Sequence, residues 1–159
     1  MGKLITSINI SLKYILFLLM CALIICVFAQ VLFRFVVEQP LAWTEELARF
    51  ILVWLTFLGA AYAMSLKAHV SIDFFVKKLP SSLYKASLVL STLISIAFFY
   101  ILVTEGYSMT TRTMGQLSPV LEIPMGIIYA VIPISGIILI VNILNETLKT
   151  LFDKGGADK

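Results

Sequence analysis

Residues 14–33 read YILFLLMCALIICVFAQVLF, a run of 20 residues without a charged side chain. Three further uncharged runs follow, at 50–66, 86–104 and 123–145. A bilayer core of about 30 Å needs roughly 20 helical residues at a rise of 1.5 Å each. Because backbone groups in hydrocarbon must bond within their own segment, such runs favour helices over barrel strands. The sequence predicts an all-α integral membrane protein whose four transmembrane helices span about 14–37, 43–66, 83–105 and 123–146.

The composition supports a membrane protein. Of 159 residues, 60% are hydrophobic and 13% are charged, whereas soluble domains are about 25% charged. The net charge of +3 is too small and dispersed for a nucleic-acid surface. We therefore expect one membrane domain over residues 1–159, with the first run retained as a span rather than removed as a signal peptide.

The residues that commonly hold cofactors or metals are scarce. Cys21 and Cys26 are five residues apart, a spacing that matches neither a CxxC redox pair nor a zinc site. Cysteines in an apolar run usually pack as small hydrophobes. With His69 as the single histidine, we predict no catalytic, metal or cofactor site and no enzymatic activity.

The distribution of cations predicts the orientation. Nine lie at the N-terminal end, in the second connection and in the tail: Lys3, Lys13, Lys67, Lys77, Lys78, Lys85, Lys149, Lys154 and Lys159. The first and third connections hold three: Arg34, Arg49 and Arg112. Since cytoplasmic loops carry the excess of Lys and Arg, we predict both termini in the cytoplasm.

The second connection, 67–85, has an amphipathic pattern. Apolar residues recur at helical spacing at Ile72, Phe75, Val76 and Leu79, with Ser71, Asp73, Lys77 and Lys78 off that face. Such a segment can lie along the inner headgroup layer. His69, four residues before Asp73, is expected to cap this segment or lie at the interface rather than bind a metal.

The third connection and the last span carry helix-breaking residues. Residues 105–122 are polar and include glycine and proline, so we expect a solvated outer loop. Pro124 lies near the start of the last span, where a missing N–H costs little, whereas Pro133 is interior and should kink the helix.

The second helix carries the most informative polar residues. Trp43 is placed as an interfacial anchor. Glu45 and Glu46 fall in the first turns, where the helix dipole favours carboxylates, and Arg49 follows at a spacing that allows both to pair with it. The 3.6-residue period from Glu45 defines a second-helix stripe of Glu45, Arg49, Leu52, Thr56, Gly59 and Ala63.

Three interpretations of the second-helix stripe stay open. It can be an ion pair followed by packing within the four-helix unit. It can face a separate membrane subunit, because Gly59 and Ala63 form a small-xxx-small pair that permits close helix approach. A proton or ion pathway is the third, although the other three runs hold no ionisable group near their centres.

Residues 43–63, WTEELARFILVWLTFLGAAYA, resemble the second helix of the small membrane subunit of tripartite ATP-independent periplasmic (TRAP) transporters, the DctQ type. Residues 67–73, KAHVSID, look like the following loop of that family. Residues 118–126 and 132–134 look like its entry into the last helix. Glu122 departs from the small residue expected there.

The resemblance implies the small subunit of a sodium-driven uptake system for organic acids of the dicarboxylate or sialic acid type, in the bacterial inner membrane. A large membrane subunit would carry the substrate in an elevator motion, and this chain would extend its scaffold. A periplasmic substrate-binding protein, engaged mainly through the large subunit, and phospholipids would be the other partners. The alternatives are a stand-alone four-helix exporter, which needs a carboxylate deep in a span, and a disulfide-forming enzyme, which needs outward cysteine pairs.

Overall fold

The computed structural model describes residues 2–66 and 81–153. The helices of this described part are α1 Gly2–Phe35, α2 Ala42–Ser65, α3 Ser81–Thr113, α4 Met125–Tyr129 and α5 Val131–Asp153. Four stretches are long and apolar enough to cross a membrane: Ile5–Phe35, Ala42–Ser65, Ala86–Thr113 and Met125–Thr150. The prediction of an all-helical protein with four such helices is confirmed. The predicted amphipathic segment, with His69, Asp73, Phe75, Lys77 and Lys78, lies outside the described residues.

The long helices pack in the order α1, α2, α5, α3. Leu12 of α1, Leu58 of α2 and Val131 of α5 form one buried cluster, and a second joins Ala61 of α2 to Phe99 and Leu139 across the α3–α5 contact. Cys26 packs against α2 as a small buried apolar residue. Helix α2 is thus central, with α1 on one side and α5 on the other.

Helix α3 is longer than the sequence predicts. The third connection was expected to begin at Glu105, but α3 continues to Thr113, so residues 105–113 are helix rather than loop. The cause is packing against α4 and α5. A Cβ added at Gly106 would lie 2.8 Å from Ile132 Cγ2 and 3.0 Å from Pro133 Cδ. This closeness requires glycine, and it fixes the last two turns of α3 as part of the bundle.

The last span passes from α4 to α5 at Ala130, which keeps right-handed helical backbone angles (φ −57°, ψ −24°). Pro133 has no N–H to donate to the carbonyl of Tyr129, four residues earlier, and its ring crowds that carbonyl. Ile134 resumes the helical pattern by donating to Ala130 O at 3.3 Å. The missing hydrogen bond therefore falls one turn before the proline, and the kink that the sequence predicts at Pro133 stays a prediction.

A buried amide network joins α1, α2 and α5. Asn142, 2% exposed, donates through Nδ2 to Asn9 Oδ1 at 3.2 Å and to Ala61 O at 2.9 Å. Asn9 Nδ2 donates back to Asn142 Oδ1 at 3.1 Å. Burying a side-chain amide in an apolar span costs free energy unless the amide is hydrogen-bonded. Hydrogen bonds of this kind between helices contribute about 0.6–2 kcal/mol in membranes. The network fixes the register of the three helices.

Candidate partner-binding face of the second helix

Helix α2 begins without a side-chain cap. Leu41 is the N-cap residue, and Thr44, fully buried, donates through both its N–H and its Oγ1 to Leu41 O, at 3.2 and 2.7 Å. Pro40 precedes the first turn, and Glu38 adopts a φ of 56° in the connection. The chain thus turns tightly from α1 into α2 and presents the acidic pair Glu45 and Glu46 in the first turns.

The two acidic residues face different surroundings. Glu46 is 6% exposed, and its Oε2 accepts hydrogen bonds from the backbone N–H of Val120 at 3.1 Å and of Leu121 at 2.7 Å. Glu45 accepts a bond from Arg49 Nη2 at 3.1 Å, with both side chains more than 60% exposed. The expected pairing of Arg49 is therefore found for Glu45, whereas Glu46 turns inward and holds the loop before α4.

That loop, residues 114–124, is a compact hairpin. Ser118 donates its N–H to Ile123 O at 2.9 Å, and Met125 donates to Gln116 O at 2.8 Å. Ile123 N–H reaches Ser118 Oγ at 3.2 Å. Glu122 adopts a φ of 53°, in the left-handed region that favours glycine and other short residues. Glycine, which has no Cβ, would suit this position on steric grounds.

The second-helix stripe lies on accessible surface, and we call it the open face: Glu45, Arg49, Leu52, Thr56, Gly59 and Ala63. Leu52, Thr56 and Ala63 are exposed, and Thr56 Oγ1 is satisfied by Leu52 O at 2.8 Å within its own helix. Gly59 is half-buried, and a Cβ added there would only just touch Leu16 Cδ2 of α1, at 4.0 Å. Trp43 at the start of α2 is 44% exposed. Except for Glu46, the predicted interface residues lie on accessible surface of the chain.

The open face differs in chemistry from the exposed surface of the neighbouring helices. On α1 the exposed residues are large and apolar, as at Phe17, Leu18 and Phe28, each more than 60% exposed, which suits contact with lipid tails. The stripe on α2 instead presents an ion pair, a threonine and small residues together with one large apolar residue, Leu52. Small and polar residues are enriched where membrane helices meet one another.

Sequence reasoning missed two long-range contacts within the bundle. The bond from Glu46 to the loop joins residues 74 and 75 positions apart, and no local pattern signals it. The Asn9–Asn142 contact joins residues 133 positions apart. Here a signal existed, because Asn142 lies inside an otherwise apolar run and such an amide needs a partner.

These features define a multi-pass helical membrane protein whose second helix exposes small and polar residues. Residues 23–153 match the family described as the DctQ component of tripartite ATP-independent periplasmic transporters. The chain belongs to this family, so it is a subunit of a transporter.

Similar curated proteins have related names. A protein of Haemophilus influenzae named as a TRAP transporter small permease is 25% identical over 145 residues, covering 91% of this chain and 90% of the relative. The sialic acid TRAP transporter small permease protein SiaQ of Vibrio cholerae is 38% identical over 78 residues, 49% of this chain and 44% of the relative. The isethionate TRAP transporter permease protein DctMQ of Oleidesulfovibrio alaskensis is 26% identical over 147 residues, 87% of this chain. The chain spans 23% of the length of that last protein.

Proposed function

We propose that this chain is the small, non-catalytic subunit of a sodium-driven TRAP transporter for an organic acid, and that it binds the large membrane subunit through the open face of α2. In this proposal the large subunit moves substrate by an elevator motion, and the four helices of this chain widen its fixed scaffold. The periplasmic substrate-binding protein acts mainly through the large subunit.

The observation that carries the proposal is the composition of the open face. The charged pair of Glu45 and Arg49 lies at the start of α2, next to Trp43 and before the uncharged run 50–66. Within that run the face presents Leu52, Thr56, Gly59 and Ala63. Small residues on a membrane helix let another helix approach closely, as Gly59 and Ala63 would, and a partner could also pair with the charges at the start of the helix. A protein partner therefore suits this face better than lipid does.

Two comparisons support the partner and the substrate class. The chain resembles part of one long permease, DctMQ, which favours a small-subunit segment that works next to a larger transport unit. The names of the relatives refer to isethionate and sialic acid, both organic acids. We propose an organic acid of the dicarboxylate or sialic acid type, the class that the family resemblance implies.

We further propose the inner membrane of a bacterium as the location, with both termini in the cytoplasm. The nine-to-three division of Lys and Arg between the two sides supports this orientation. A reporter fused at Thr110, near the end of α3, should give a periplasmic signal, and one fused at Lys159 a cytoplasmic signal. The opposite pair of signals would invert the orientation and place the Glu46-held loop inside the cell.

The chain alone is expected to move no substrate. Translocating an anion requires compensation of its charge at mid-membrane, where an unpaired charge costs at least several kcal/mol, and the four runs have no charged side chain. Proteoliposomes with a sodium gradient, a binding protein and candidate acids should show uptake only when the large subunit is present. Uptake by this chain alone would favour the stand-alone transporter instead.

A further inference from the structure

A cavity of about 280 Å³ lies at the end of the bundle opposite the Glu46-held loop, between α1, the last turn of α2 and α5. Its lining includes Lys13, Tyr62, Asn145, Glu146 and Lys149. A water molecule's share of liquid volume is about 30 Å³, so the cavity has room for a phosphate group and the atoms next to it. We call this cavity the inner pocket.

The described residues that line the inner pocket carry a net positive charge. Glu146 is paired with Lys149, whose Nζ donates to Glu146 Oε1 at 3.1 Å. This pairing neutralises the carboxylate that would otherwise repel an anion. Lys13 is exposed and forms no ion pair with the residues that the structure describes, so the two lysines and one glutamate leave one net positive charge.

The apolar lining residues favour a lipid over a free anion as the ligand. The pocket is also lined by Ile5, Ile10 and Leu66, which offer apolar surface next to the lysines. A phosphate joined to glycerol and acyl chains uses both kinds of surface, whereas inorganic phosphate uses one. Basic pockets between transmembrane helices near the membrane surface bind anionic lipid headgroups.

We propose that the inner pocket binds the phosphate of one anionic phospholipid, with Lys13 as the cation that attracts it and Lys149 as the cation that neutralises Glu146. The acyl chains would continue along the apolar surface of α1, which is largely exposed. A bound lipid would then fill the gap between α1 and α5 beyond the Asn9–Asn142 contact and hold the two helix ends together.

Lipid titration of the purified full-length chain tests the proposal. The delipidated protein in detergent is mixed with phosphatidylglycerol, and bound lipid is counted by native mass spectrometry. One tightly held equivalent is expected. Each cation near the membrane surface contributes about 1 kcal/mol to such binding, so Lys13→Gln should weaken binding about fivefold and Lys13→Gln with Lys149→Gln about 25-fold.

The controls separate the sources of the anion. Arg34→Gln, which removes an exposed cation at the other end of α1, should bind the lipid as the unchanged chain does, and Lys13→Arg should retain binding. Circular dichroism confirms that each variant keeps its helices. Equal binding of phosphatidylcholine, equal binding of inorganic phosphate, or unchanged affinity in the double variant would each overturn the proposal.

Discussion

Replacing Gly126 with alanine should lower the free energy of unfolding by about 2 kcal/mol or more, since overpacking a tight contact typically costs about 1–3 kcal/mol. A Cβ at Gly126 would lie 2.5 Å from the backbone oxygen of Thr110 and 2.7 Å from Met114 Sδ. The methionine side chain can move, but the carbonyl of Thr110 belongs to helix α3. The clash must therefore shift α3 against α4. Unfolding of the purified protein in mixed micelles by increasing dodecyl sulfate gives the measurement.

Gly115 provides the matched control for this substitution. It lies just after the end of α3, its φ is negative, and no atom lies within 4 Å of a Cβ added there. Gly115→Ala should change the free energy of unfolding by no more than about 0.5 kcal/mol, as open surface positions do. Equal losses at the two glycines would mean that α3 and α4 are not packed as closely as the structure has them.

Replacing Glu46 with alanine should cost about 2–4 kcal/mol of stability. Hydrogen bonds to a charged group contribute about 1.5–3 kcal/mol each, and Glu46 accepts two of them from the loop, at Val120 and Leu121. The substitution leaves both partly buried N–H groups without their acceptor. The loop 114–124 should also become more open to proteolysis, because Glu46 is the side chain that ties it to α2.

Glu45→Ala is the control for Glu46→Ala, one residue away on the same helix turn. Its ion pair with Arg49 is more than 60% exposed on both sides, and such pairs contribute about 0–1 kcal/mol. A small effect at Glu45 with a large one at Glu46 is the expected result. If both variants unfold alike and the loop resists protease in each, Glu46 does not anchor it.

The four spans could be predicted because each depends on its own sequence. An uncharged run of about 20 residues is long enough to cross the bilayer, and as a helix it pairs its own backbone groups. No distant residue is therefore needed to identify it. That the residues of the open face share one side of α2 could also be predicted, since a 3.6-residue period aligns Glu45, Arg49 and Thr56 on any regular helix.

Other features depend on tertiary contacts and could not be predicted. The extra turns of α3 pack against the last span, with Gly106 in close contact with Pro133. The inward turn of Glu46 depends on a loop more than 70 residues away. In both cases the local sequence is compatible with two outcomes, a loop or a helix at residues 105–113 and an exposed or a buried carboxylate at Glu46. Packing decides between them.

The most direct test of the proposed function is recovery of the large membrane subunit with a tagged form of this chain. Thr56→Trp places a bulky side chain on the open face, whereas Leu93→Trp places one on the surface of α3, where Leu93 is 59% exposed. We predict that Thr56→Trp reduces the recovered large subunit at least tenfold at equal yield of the tagged chain, and that Leu93→Trp leaves recovery unchanged. Full recovery with Thr56→Trp would contradict the assignment of this face to the large subunit.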